Sequence, residues 1–96
     1  MTISFDEARK IAQDYLEKIT RRHALVLLDR LTREEDFGWV FFYNSKLFVE
    51  TRDINHALGG NAPIIVNRVD GSLYETGTAH SIDYYILEYR RGRRRD

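Results

Sequence analysis

Residues 39–43, Trp-Val-Phe-Phe-Tyr, are apolar at every position. A strand with one solvated face alternates apolar and polar side chains, whereas an unbroken apolar run reads as a central strand covered on both faces. Alternation along the strand puts Trp39, Phe41 and Tyr43 on one side and Val40 and Phe42 on the other. The rest of the chain has to be read around this segment.

Ser4 and Glu7 stand at the S-x-x-E spacing of a capping box, in which each side chain satisfies a backbone donor at the other's position. Phe5, Ala8, Ile11, Ala12, Tyr15, Leu16 and Ile19 follow at three- and four-residue steps. That spacing predicts an amphipathic helix running to about Arg22. ALVLLDRLT reads as a strand ending in the polar turn REEDFG. Asn44-Ser45 makes a tight turn from the aromatic strand into KLFVET, so three strands form an antiparallel meander. Residues 52–62 interrupt the pattern. There Asp53 is placed to cap a single helical turn carrying Ile54, Ala57 and Leu58, which Gly59 ends. PIIVNRV is a fourth strand, and Asp70-Gly71 is a hairpin turn into a fifth, SLYET. Ser81 caps a second helix whose Ile82, Tyr85, Ile86 and Tyr89 follow the core-facing template, and Gly92 is placed to end it.

The predicted order is α-β-β-β-β-β-α. The fold class is α+β: one antiparallel five-stranded sheet with the N-terminal and C-terminal helices packed on one face. Ninety-six residues make a single domain, taken as residues 1–89 followed by a basic C-terminal tail, 90–96. The chain holds 15 basic and 15 acidic residues, unevenly spread. Five arginines and one aspartate fall in RRGRRRD, leaving ten basic and fourteen acidic residues in the body. An acidic body favours a basic protein surface over nucleic acid. The tail reads either as a solvated terminus or as a phosphate grip, and no aromatic is interleaved in it to stack bases.

Cysteine is absent, which removes disulfides, thiolate catalysis and cysteine-based metal sites. MTISFDEARK lacks the basic and apolar regions of a signal peptide. No apolar stretch nears the roughly 20 residues that a membrane span needs. The expected location is therefore the cytoplasm, with no membrane partner.

Gly59-Gly60-Asn61-Ala62-Pro63 invites a phosphate-binding reading, but glycine loops of that kind follow a strand and open a helix. Here the glycines follow a helical turn and precede a strand, which makes the stretch a connector. Glu50, Asp53 and His56 are spaced by three. Glu50 closes a predicted strand, however, and no second histidine is near, so they are not read as a metal set. His23 and His80 stand alone at element ends. No nucleophile elbow or similar signature is present, and no catalytic residue, metal ligand or cofactor is assigned.

With both helices on one side, the other face of the sheet has two readings. Loop 52–62 and neighbouring side chains cover it, or it is a surface for a partner or for a second copy of the chain. On the second reading Trp39, Phe41 and Tyr43 make the contact. Glu34, Glu35, Asp36, Glu50, Asp53 and Asp70 then form an acidic rim that steers a basic partner.

Gly60-Asn61-Ala62-Pro63, Asp70-Gly71 and Gly77-Thr78-Ala79, in that order and followed by an aromatic-rich last helix, resemble the YrhB-domain family, also called immunity protein 35. The resemblance runs over nearly the whole chain up to Tyr89, and the arginine tail lies outside it. It implies a small bacterial α+β protein whose relatives are encoded with polymorphic toxins and neutralise them. One branch is described as heat-stable and chaperone-like. Neither role is enzymatic. The resemblance thus implies an immunity protein that occludes a cognate toxin. The alternative is a holdase-like chaperone that binds unfolded clients through an apolar sheet face.

Overall fold

The computed structural model describes residues 2–20, 24–56 and 62–95. In chain order the elements are α1 (Phe5–Ile19), β1 (Leu25–Leu27), a 3₁₀ turn (Asp29–Leu31), β2 (Arg33–Glu35), β3 (Gly38–Phe41) and β4 (Tyr43–Ser45). They continue with α2 (Lys46–Thr51), a second 3₁₀ turn (Ile54–His56), β5 (Ile64–Asn67), β6 (Leu73–Glu75) and α3 (Ile82–Arg95). The α+β class stands. The single five-stranded sheet does not: β2-β3-β5-β6 form a four-stranded antiparallel sheet, and β1 and β4 pair separately.

The division falls inside the aromatic run. Trp39, Val40 and Phe41 belong to the large sheet, Tyr43 belongs to the small one, and Phe42 lies between them. The Phe42 carbonyl accepts from the Leu28 amide at 2.8 Å, so this backbone group stays paired while the chain changes sheets.

Two further departures have local causes. KLFVET is a helix and not a strand. Buried Ser45 accepts from the Phe48 amide at 3.0 Å and donates its hydroxyl to the His56 carbonyl at 2.6 Å, tying α2 to the turn that follows. An N-cap bonded at both ends outweighs the strand preference of Phe48 and Val49. REEDFG, read as a turn, contributes β2: Arg33, Glu34 and Glu35 pair with Val40, Trp39 and Gly38. Gly38 adopts φ 151°, and a Cβ there would collide with the Val66 carbonyl, so only glycine lets β3 approach β5 this closely.

The capping box forms as its spacing predicts. Ser4 accepts from the Glu7 amide at 3.1 Å and the Glu7 carboxylate accepts from the Ser4 amide at 3.0 Å. Within the described residues α1 ends at Ile19, where Thr20 caps it. Asp53 caps the short turn over Ile54–His56 through the Asn55 amide. The rest of that expected turn and the glycine connector, residues 57–61, lie outside the described residues, as does His23.

The helices take opposite faces of the large sheet, not one. α1 sends Ala8, Ala12 and Leu16 against Trp39, Phe41, Ile64 and Val66, with Tyr43 and Leu27 of the small sheet closing the cluster. α3 sends Ile86 and Tyr89 against Val40 and Ile65 on the other side. Every residue of β3 and β5 is buried in consequence. This answers the constraint set by the apolar run: both faces are covered, one helix to each. α3 also continues past Gly92 to Arg95. A lone glycine costs a helix only about 1 kcal/mol, and arginines, good helix formers, stand on both sides of it.

Candidate partner-binding surface

Trp39, Phe41 and Tyr43 are 5%, 0% and 8% exposed beneath α1. The aromatic stripe of β3 and β4 is core, and no open sheet face carries it. Phe5 edges onto Trp39 and stacks on Phe41, both at 6.0 Å between ring centroids.

Three acids of the rim, Glu34, Glu35 and Asp36, pair with the chain's own arginines. Glu34 pairs with Arg68 at 3.2 Å, and the Arg68 guanidinium also lies 4.7 Å from the Trp39 ring. Glu35 meets Arg33 at 3.2 Å and Arg90 at 2.9 Å. Arg90 reaches on to Asp36 at 2.9 Å and lies over Phe37, while Arg33 reaches Asp83 at 3.0 Å. The Arg90 guanidinium holds the Asp36 carboxyl below the usual carboxylate range. Sequence reading misses Arg68 and Arg90 because they stand 34 to 55 residues along the chain from the acids they hold. Asp53 caps its turn and lies 3.9 Å from His56. Asp70 accepts from the amide and the hydroxyl of Ser72 in the β5–β6 turn. Glu50 is exposed on α2 and joins no ion pair among the described residues.

The structure instead brings out the 3₁₀ turn Asp29–Leu31, which lay inside an expected strand. Arg9 of α1 holds Asp29 with bonds of 2.9 and 2.8 Å, and this keeps the Asp29 carboxyl below its ordinary range. A cleft of about 330 Å³ is lined by Phe5, Asp29, Thr32, Glu34 and Trp39. A second, of about 340 Å³, is lined by Leu27, Leu28, Leu31, Val49 and Arg52, again with Asp29 in its wall. Leu31, in the wall of the second cleft, is 54% exposed, and Ile54, beyond α2, is 76% exposed. Arg52 ends α2 in the left-handed region, φ 60°. Two clefts of mixed apolar and polar lining, one of them walled by an exposed leucine, suit the side chains of a protein partner. No group of three histidine or carboxylate side chains among the described residues is placed to hold a metal.

The immunity protein 35 family matches this chain over residues 6–90. The chain belongs to that family. It is similar to the uncharacterized protein YrhB of Escherichia coli (strain K12), 30% identical over 87 residues, which cover 91% of this chain and 88% of YrhB. No solved structure matches it. The match to immunity protein 35 takes in α1, both sheets and the core-facing turns of α3, and it stops at Arg90. Two of the family-like motifs have visible work in the fold. A side chain at Gly77 would strike the Tyr85 hydroxyl, which accepts from the Ala79 amide at 3.1 Å, so Gly77-Thr78-Ala79 seats the start of α3. The Pro63 carbonyl accepts from both the amide and the hydroxyl of Thr76, which holds β6 beside β5.

Proposed function

We propose that this member of the immunity protein 35 family is an antitoxin that docks on a cognate bacterial toxin and occludes it. It does so without chemistry of its own and acts in the cytoplasm. Among the described residues no helix is long and apolar enough to cross a membrane. The observation that carries the reading is exposed Leu31 in the wall of one of two clefts that share Asp29. Leu31 is the anchor, Phe5 and Val49 line its flanks, and Glu34, Glu50 and Asp53 are the nearby acids.

The partner surface is basic, because the chain outside residues 90–96 has fourteen acidic against ten basic residues. Glu35 and Asp36 are assigned to holding α3, and the buried aromatics of β3 and β4 to supporting the surface from beneath. The chaperone alternative requires a client site on an uncovered sheet face. With α1 and α3 on opposite faces, no observation favours it.

Co-expression with the toxin encoded beside it tests the proposal. The pair should survive gel filtration together and toxicity should be lost. Leu31→Glu should cost about 2 kcal/mol or more of binding, roughly 30-fold in affinity, as a central apolar anchor does. Its thermal unfolding should stay that of the unaltered protein. Continued killing with no isolable complex refutes the reading.

A further inference from the structure

The outward stripe of α3 departs from what a helix packed on one sheet needs. Its inner stripe is Ile82, Tyr85, Ile86 and Tyr89, of which Ile82, Ile86 and Tyr89 enter the core cluster with Val40 and Ile65. The opposite stripe of such a helix is ordinarily polar. Here it presents Tyr84 and Leu87, 44% and 48% exposed, with Arg91 one turn further on. Neither Tyr84 nor Leu87 belongs to a core cluster.

Charge on the same helix selects an occupant. Asp83 stands at the start of the stripe, its side chain 78% exposed, and Arg91 at the far end, 61% exposed. Each lies four residues from Leu87, to either side. We propose that this stripe is a homodimer surface, in which α3 packs antiparallel on α3 of a second copy about a two-fold axis at Leu87. Antiparallel crossing sets Leu87 against Leu87, Asp83 against Arg91 of the second copy, and the two helix dipoles head to tail. Parallel crossing would set Arg91 against Arg91. The intramolecular partners of the two charges do not stand in the way. Arg33–Asp83 and Glu88–Arg91 are exposed pairs, which hold their side chains weakly. The surface shares no residue with the clefts around Leu31, and it needs no toxin.

Sedimentation equilibrium of the purified full chain over a concentration series is the experiment. The expected result is a reversible monomer–dimer equilibrium that Leu87→Glu weakens about tenfold or more, with the helical circular dichroism unchanged. Asp83→Arg and Arg91→Asp should each weaken it, and the double reversal should restore it, which only a contact between identical stripes explains. Because the chain has no cysteine, Leu87→Cys also gives a clean cross-link: oxidation should yield a disulfide dimer where Ile54→Cys yields none. A monomer at every concentration overturns the proposal, as does a dimer indifferent to Leu87→Glu. So does a stripe whose substitution affects only binding to a different protein.

Discussion

The two faces of the four-stranded sheet are built on different principles. Under α1 the contact is almost wholly apolar: Ala8, Ala12 and Leu16 close over Trp39, Phe41, Ile64 and Val66, and small alanines let the helix come close. Under α3 the buried cluster is Val40, Ile65, Ile86 and Tyr89, and polar attachments complete it. Buried Asn67 donates to the Tyr89 hydroxyl at 3.0 Å and accepts from the Val69 amide at 2.8 Å. Around that centre Arg90 spans Glu35 and Asp36, and Arg33 spans Glu35 and Asp83. One face is held by non-directional burial and the other by a smaller apolar patch oriented by directed bonds. Burial supplies most of the stability, while hydrogen bonds and ion pairs fix position for less energy.

The sharpest way to break this comparison is a truncation on the α1 face. Phe41→Ala should cost about 3–5 kcal/mol, the range for a fully buried aromatic, measured by urea unfolding. On the α3 face Tyr89→Phe keeps the ring and removes the hydroxyl that Asn67 uses. The expected loss is about 1–3 kcal/mol, set by the buried amide left short of a partner. If Tyr89→Phe proves as costly as Phe41→Ala, the distinction between the faces fails.

Alkaline pH should act through the α1 face. Burial, and then the hydrogen bond it donates to Glu75, push the Tyr15 hydroxyl well above the ordinary tyrosine range. Burial also raises Tyr43. A group whose folded pKa is raised contributes fully below its unfolded value of about 10 and loses that contribution as pH climbs toward the folded one. Tyr15→Phe should therefore flatten the decline in melting temperature above about pH 10. An unchanged alkaline limb would remove Tyr15 from the account.

The smallest effect belongs to the ion pairs. Asp36 and Asp29 both sit below the ordinary carboxylate range, through Arg90 and Arg9 respectively. A depressed folded pKa gives stability that is present above the unfolded value of about 3.9 and lost as pH falls through the folded one. Asp36→Asn and Asp29→Asn should each shift the melting temperature slightly, and only at low ionic strength, as exposed pairs do. A large shift for Asp36→Asn that persists in high salt would make the α3 face more electrostatic than its exposure allows.

Much of this architecture is legible in the amino-acid sequence, and the legible parts share a property. The capping box of Ser4 and Glu7, the Asp70-Gly71 hairpin and the start of α3 after Ser81 depend on bonds between residues a few positions apart. The alternation of Trp39 and Phe41 against Val40 is likewise a backbone property of any strand. The α2 helix also has a local signal in Ser45. Phe48 and Val49 mask it, because their strand preference matches the preceding aromatic run. The candidate surface is far less legible. Glu34, Glu35 and Asp36 look like free acids until Arg68 and Arg90 arrive from elsewhere in the chain, and Leu31 looks like a strand residue until the 3₁₀ turn exposes it.

By itself, then, the sequence determined the α+β class, the demand that β3 be covered on both faces, and membership of the immunity protein 35 family. Only the tertiary structure decided that α1 and α3 satisfy that demand from opposite sides. It also decided that the aromatic run splits between two sheets at Phe42 and that Glu34, Glu35 and Asp36 pair with the chain's own arginines. The physical reason is range. Periodicity and caps report what a residue does with neighbours four positions away, whereas the face a helix takes and the partner a charge finds depend on contacts between distant segments that no local pattern encodes.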